Sequence, residues 1–148
     1  MATEEQVHQI WEGIRQAFNN RDVDRFLSYY ADDLVFQDVG LAEVIRDKAT
    51  FGKRISRWWP PFPDAKMTVE KVLASGDWAA VQFRFTGTHQ GDLTTPFGVV
   101  PATGRPVEHR ACAIVRIAGG KIQEDIFYGD HLAMMQQLGA LSLLAKAG

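Results

Sequence analysis

The sequence has few of the features that would tie a chain to export, a membrane or a nucleic acid. Cys112 is the single cysteine among 148 residues, so no disulfide can form within the chain. No apolar run approaches the roughly 20 residues that a membrane-spanning helix needs, and the acidic start MATEEQVHQIW does not have the character of a signal peptide. Sixteen basic and eighteen acidic residues, without a run of like charge, provide no basic surface for nucleic acid. We therefore expect a soluble, cytoplasmic protein with no nucleic-acid or membrane partner.

Motifs for nucleotides, metals and nucleophilic hydrolases are also missing. The chain has no GxGxxG, GxxxxGK[ST] or GxSxG pattern. The four histidines, at positions 8, 89, 109 and 131, do not have metal-ligand spacing. Cys112 lies on the opposite side of its predicted strand from His109, which argues against a Cys–His nucleophile. We therefore expect neither a metal nor an organic cofactor.

Hydrophobic periodicity divides the chain into helices and strands. The predicted helices cover residues 4–19, 22–33, 41–58 and 131–144, the predicted strands cover residues 34–38, 66–75, 78–89, 106–117 and 121–130, and residues 90–105 form a long connection. This order predicts one α+β domain over residues 1–148, a cone-shaped barrel in which a strongly curved, mostly antiparallel sheet wraps around the N-terminal helices. The mouth of such a cone is a common place for a small-molecule pocket.

Two aspartates lie where a pocket carboxylate is expected. Asp130 ends a predicted strand just before a Met- and Leu-rich helix, so its carboxyl would face an apolar space. Burial there would raise the pKa of the carboxyl towards neutrality, which suits proton transfer. The alternative is an N-cap for that helix. Asp38 alternates with Leu34 and Phe36 on one side of its strand, and the alternative is a turn aspartate.

Two histidines and several aromatic residues complete the predicted pocket. His109 shares a strand side with small apolar residues that leave room for an imidazole, so a relay between His109 and Asp130 on adjacent strands is a reasonable prediction. His89 is predicted to contact the substrate, and hydrogen-bonded structural histidines are the alternative for both. The aromatic residues predicted to wall the pocket, each with plain core packing as its alternative, are Tyr29, Tyr30, Phe36, Trp58, Trp59, Phe85 and Tyr128.

Short pieces between residues 60 and 139 resemble the SnoaL-like polyketide cyclases (ester cyclases) of the nuclear-transport-factor-2-like superfamily. These pieces are Phe62-Pro63-Asp64, Gly76-Asp77, GTHQG at 87–91, PATGR at 101–105, Arg116 with Gly120-Lys121-Ile122, Glu124, Asp130 and Gln137-Leu138-Gly139. The resemblance implies a cone that closes rings in an aldol-type step without metal or organic cofactor, and it implies that Asp130 is the general acid/base. The family often has an aromatic residue where this chain has Ile126, which indicates a differently shaped pocket.

The segment ADDLVFQD, residues 31–38, is similar to the same stretch of bacterial ketosteroid isomerases, in which the acid matching Asp38 moves the proton. That family holds the substrate oxygen with a tyrosine and a protonated acid. The positions that match them here are Ile14 and about Ala113, so steroid isomerisation is not expected.

Two hypotheses follow for the function. The first is a cofactor-independent enzyme in which a pocket carboxylate, with a histidine partner, performs general acid/base chemistry on a hydrophobic oxygenated small molecule, by cyclisation, isomerisation, dehydration or retro-aldol cleavage. The second is a non-catalytic binding or dimerisation module of the same fold. The outer face of such a sheet usually needs cover, so we expect a homodimer.

Overall fold

A computed structural model of the protein describes residues 2–146. The helices are α1 (Glu4–Asn19), α2 (Val23–Leu27), α3 (Lys48–Ser56), α4 (His131–Gln137) and α5 (Ser142–Lys146), and the strands are β1 (Tyr30–Asp38), β2 (Glu43–Ile45), β3 (Lys66–Ser75), β4 (Trp78–Thr88), β5 (Leu93–Thr95), β6 (Gly98–Val100), β7 (Pro106–Ala118) and β8 (Lys121–Gly129). The ends of the predicted domain, residues 1 and 147–148, lie outside the described residues.

A curved six-stranded sheet with the order β2-β1-β8-β7-β4-β3 forms the body of the molecule. β1 runs parallel to β8, and the other neighbours are antiparallel. β5 and β6 form a separate hairpin within the long connection. This arrangement confirms the predicted α+β cone, in which the N-terminal helices fill the concave side of the sheet.

The first helix shows how the sequence sets the position of the core. Thr3 and Gln6 form the predicted capping box, with the Gln6 amide donating to Thr3 Oγ1 at 3.1 Å and the Thr3 amide donating to Gln6 Oε1 at 3.0 Å. The apolar side of α1 is buried against the sheet, and Trp11 stacks on Phe83 of β4 with ring centroids 5.3 Å apart. Apolar burial of this kind provides most of the stability of a helix in a protein.

An irregularity in β8 decides which of its residues face inward. Glu124 pairs with Arg116 but Ile122 pairs with Ile117, so β8 carries one extra residue, Gln123. A bulge of this kind shifts the alternation of side chains along the strand. As a result Ile122 is buried on one side of the bulge, and Asp125 and Phe127 are buried on the other.

Several predicted element boundaries are wrong for identifiable reasons. The second helix ends at Leu27, because Tyr30 already pairs with Ile122 in the sheet. The predicted helix at 41–58 begins as strand β2, and α3 starts only after Asp47, whose carboxylate accepts the Thr50 amide at 2.8 Å. The last predicted helix is divided into α4 and α5 around Gly139, which has a φ of +68°. Among the described residues no helix is long and apolar enough to cross a membrane.

Candidate active site

Three small cavities lie side by side in the cone, and Trp58 borders all of them. Their volumes are about 30, 40 and 50 Å³, so each has room for about one water. His109 borders the first two cavities, and His131 borders the third, which lies under the β5–β6 hairpin. Aromatic side chains form most of the walls of the second cavity, and a ligand larger than water must displace some of the side chains around each cavity.

Asp38 is the carboxylate at the centre of a buried polar network. Its side chain is fully buried, and Oδ2 accepts a hydrogen bond from Arg54 Nη2 at 2.7 Å. Oδ1 lies 3.1 Å from His131 Nε2 and accepts the Leu41 amide at 3.2 Å. Burial acts to raise the pKa of Asp38, but His131, Arg54 and the Leu41 amide outweigh it, so the pKa lies below its ordinary value. Asp38 is therefore an ionised, fully partnered carboxylate.

His131 is the first residue of α4, and its contact with Asp38 fixes its ring. Because the carboxylate accepts from Nε2, the other ring nitrogen, Nδ1, is the one that can take up a proton when the imidazole is neutral. Gly40 makes room for this arrangement, since a Cβ at that position would lie 2.7 Å from Cδ2 of His131. The pair has the form of a carboxylate-oriented base.

His109 lies next to this pair, deeper in the cone. Its ring centroid is 5.1 Å from that of His131. The side chain is 3% exposed, and Nε2 has no hydrogen-bond partner among the described residues. Burial lowers the pKa of His109 to about 4, and a positive charge on His131 would act in the same direction. His109 is therefore neutral at pH 7 and can offer a hydrogen bond to a ligand in the cavity.

Asp130 is not the buried pocket acid that the sequence predicts. It is exposed and is the N-cap of α4, where Oδ1 accepts the Ala133 amide at 3.0 Å. The inward side of β8 ends at Gly129, where a Cβ would lie 2.8 Å from His109 Nε2. The Asp130 carboxyl is directed to the first turn of the helix and borders none of the three cavities. The structure thus gives Asp130 the capping role that was its alternative, and it does not bring Asp130 and His109 into a hydrogen bond.

The other predicted contact residues divide into inner and outer groups. Tyr30, Phe36, Trp58 and Phe85 line the cavities. His89 is fully buried beneath the long connection, where Nδ1 accepts the Thr103 amide at 3.2 Å, so it fixes the connection to the cone. The remaining predicted contacts lie elsewhere: Tyr29 beside a groove formed with α1 and the β7–β8 turn, Trp59 under the Arg21 guanidinium, and Tyr128 exposed on the outer face of the sheet.

A sequence comparison supplies the family that this geometry fits. The profile of the SnoaL-like polyketide cyclases matches residues 8–138. The chain belongs to the SnoaL-like polyketide cyclase family. No curated protein matches this SnoaL-like chain. Its similarity to known proteins therefore rests on the family profile and on solved structures.

Solved structures with the same fold include proteins of different proposed activities. IdmH, a proposed polyketide cyclase from Streptomyces antibioticus, is 28% identical with a TM-score of 0.76, over 89% of this chain and 97% of its own. TsrD from Streptomyces laurentii is 22% identical with a TM-score of 0.81, over 95% and 99%. AclR from Streptomyces galilaeus, a proposed hydroxylase, is 21% identical with a TM-score of 0.79, over 93% and 98%. The likenesses to TsrD and AclR show the fold alone.

Sequence reasoning missed three residues of the site in this SnoaL-like protein. His131 was considered only for metal spacing, Arg54 was not singled out, and Asp125 was overlooked because the bulge in β8 hides its inward orientation. The available signal for Asp125 was its alternation with Phe127 near the end of the strand. Among the described residues there is no group of three or more His, Cys, Asp or Glu side chains that could hold a metal ion.

Proposed function

We propose that this SnoaL-like protein is an enzyme that moves a proton on a hydrophobic, oxygenated small molecule with its own side chains, in a cyclase or isomerase reaction. The observation that carries the proposal is the row Arg54–Asp38–His131, which leads to His109 at the aromatic cavities. Perturbed titratable groups that converge on an apolar cavity are the usual mark of an acid/base site.

The reaction that this arrangement supports best is an aldol-type ring closure. Nδ1 of His131 removes a proton from a carbon next to a carbonyl group, and the resulting enolate carbon forms a bond to a second carbonyl carbon of the same molecule. The new alkoxide oxygen then takes the proton back from His131. Asp38 stabilises the imidazolium that exists between the two transfers, as a buried carboxylate does for histidine bases generally.

Arg54 and His109 have supporting roles in this proposal. Arg54 donates to Asp38 and to Glu43, each at 2.7 Å, and so keeps the carboxylate ionised and in place. His109 is neutral because of its burial, so it serves as a hydrogen-bond partner for a substrate oxygen instead of a second base. The carboxylate of the proposed site is therefore Asp38, and Asp130 stabilises the helix that presents His131.

Turnover of a substrate panel tests the proposal. The panel contains aromatic polyketides, steroid enones, aryl propanoids and terpenoid lactones, and products are detected by chromatography and mass spectrometry. His131→Gln retains a donor towards Asp38 but has no base, so kcat should fall by about 10²–10⁴-fold. Asp130→Asn is the matched control, because asparagine is an equally good N-cap, and it should retain activity.

The opposite pattern would overturn the assignment. Loss of turnover in Asp130→Asn with full turnover in His131→Gln would make Asp130 the acid/base, as the family resemblance implies. Binding of panel members without conversion of any of them would favour the non-catalytic module. Thermal melting of each variant shows whether a loss of turnover comes from unfolding.

A further inference from the structure

A second polar pair lies in the same cavity as His109 and has no part in the mechanism above. The Tyr30 hydroxyl donates to Asp125 Oδ2 at 2.8 Å, and both residues border that cavity. Asp125 is 3% exposed. Its other oxygen, Oδ1, is buried and has no hydrogen-bond partner among the described residues.

A half-partnered carboxyl in an aromatic cavity is costly, and the cost is greatest when the group is charged. Burial raises the pKa of Asp125 to about 6, although the Tyr30 hydrogen bond and the charge of Arg54 act to lower it. The walls around the pair are apolar, with the Phe36 and Phe51 rings stacked 4.7 Å apart and the Phe51 and Tyr30 rings 4.9 Å apart. Such a group exchanges a proton readily near neutral pH.

We propose that Asp125, held by Tyr30, is a substrate-binding and proton-exchanging residue that recognises a carbonyl or hydroxyl oxygen at the inner end of the cavity. This inference rests on the proposed function, because it places a second polar contact on the molecule that His131 deprotonates. Tyr30 occupies Oδ2, so Oδ1 is the atom that meets the ligand. The neutral carboxyl donates its proton to a carbonyl oxygen conjugated with the carbon that His131 deprotonates, so that an enol forms. Asp125 takes that proton back when the carbonyl group re-forms on closure of the new carbon–carbon bond.

The two polar ends define the class of substrate. His109 and Asp125 border the same cavity, whose other walls are mostly aromatic rings, and His131 borders the neighbouring cavity. The matching molecule has a flat apolar body and oxygen functions at both ends, as in an aromatic polyketone. A ligand without the inner oxygen would leave the buried carboxyl unpaired, and polar sites reject such analogues strongly.

Binding of two nearly isosteric probes, 2-naphthol and 2-methylnaphthalene, tests the inference. The naphthol hydroxyl can accept from neutral Asp125 or donate to its ionised form, whereas the methyl group can do neither. Wild type should bind 2-naphthol at least about tenfold more tightly, which corresponds to one charge-assisted hydrogen bond. In Asp125→Leu, which has a similar shape and no polar atoms, the two affinities should become nearly equal. Isothermal calorimetry measures both affinities.

Asp125→Asn is the second variant, because it keeps the shape and a hydrogen bond if the leucine variant does not fold. It should show an intermediate preference for naphthol. The same preference in wild type and in both variants would overturn the inference, since another group would then recognise the hydroxyl. Failure of both probes to bind wild type would also overturn it. Neither result depends on turnover. The His131 assignment is tested by turnover in His131→Gln, so a failure of one test is distinct from a failure of the other.

Discussion

His109 and Asp125 are buried titratable residues whose pKa values move in opposite directions for the same reason. Burial favours the neutral form of each group. It lowers the pKa of His109 from 6.5 to about 4 and raises that of Asp125 from 3.8 to about 6. Both groups regain ordinary pKa values in the unfolded chain, so folding stability depends on pH through each of them.

The two contributions to stability oppose one another between about pH 6.5 and pH 4. As the pH falls through this range, unfolded His109 takes up a proton that the folded state resists, and the free energy of unfolding decreases. Folded Asp125 takes up a proton before the unfolded chain does, and the free energy of unfolding increases. Each effect is on the order of 3 kcal/mol at its full extent, so they largely cancel in wild type.

Single substitutions should separate these effects. Relative to wild type, Asp125→Asn should lose stability as the pH falls from 6.5 to 4, and His109→Gln should gain it. Urea unfolding at several pH values measures both differences. Asp33→Asn, at an exposed position of β1, is the control and should follow wild type. If the free energy of unfolding of both variants changed with pH in the same way as that of wild type, the assigned burial of both groups would be contradicted.

At the scale of elements, α4 depends on its cap. The Asp130 carboxylate accepts the Ala133 amide at 3.0 Å, and this bond satisfies one of the free amides at the start of the helix. Asp130→Ala should therefore destabilise the protein by about 1 kcal/mol, whereas Asp130→Asn should change stability by only a few tenths. Thermal or urea unfolding compares the two. Equal losses in both variants would mean that the charge of Asp130 matters more than its cap.

The alternation of side chains along a strand predicted the buried residues correctly on the regular strands, but it failed on the strand that contains a bulge. On β7, the side that carries Val107, His109 and Ala111 is buried as the period of two predicts, and β1 buries Leu34, Phe36 and Asp38 in the same way. β8 contains the extra residue Gln123, so a simple period gives the wrong inward set across the bulge. A bulge depends on pairing with the neighbouring strand, and the local sequence does not specify it.

The partners of Asp38 could not be predicted for a related reason. Its contact with His131 joins residues 93 positions apart, and it forms because β1 lies parallel to β8 with Asp38 opposite Phe127. Helix α4 starts four residues after Phe127, at His131, and the imidazole of His131 contacts the Asp38 carboxylate. Local patterns predicted the two elements, but only their long-range pairing brings the acid and the base together.

At the scale of the whole molecule, we propose that the outer face of the sheet forms a homodimer interface. Ile114 of β7 lies opposite Ile126 and Ala80 on its two neighbouring strands, all three are half-buried in the single chain, and exposed Tyr128 lies close by. A stable interface buries about 800 Å² on each partner, and apolar residues at its centre favour association.

Light scattering on a sizing column tests the dimer. Wild type should elute as a dimer at micromolar concentration, and Ile114→Glu should elute as a monomer, because the charge would be buried at the centre of the interface. Val44→Glu is the matched control, since Val44 is an exposed apolar residue on the edge strand β2, and it should remain dimeric. A monomeric wild type would contradict the proposal.

Proton exchange at carbon tests the central claim most directly. In D₂O, proton NMR follows the loss of the C–H signal between the carbonyl groups of aromatic 1,3-diketones, with no need for a complete reaction. We predict that wild type speeds this exchange above the rate in buffer, and that His131→Gln brings it back close to that rate. Exchange that is no faster than in buffer for every diketone, or that persists in both His131→Gln and Asp38→Asn, would contradict the account of His131 and Asp38 as the proton-transfer pair.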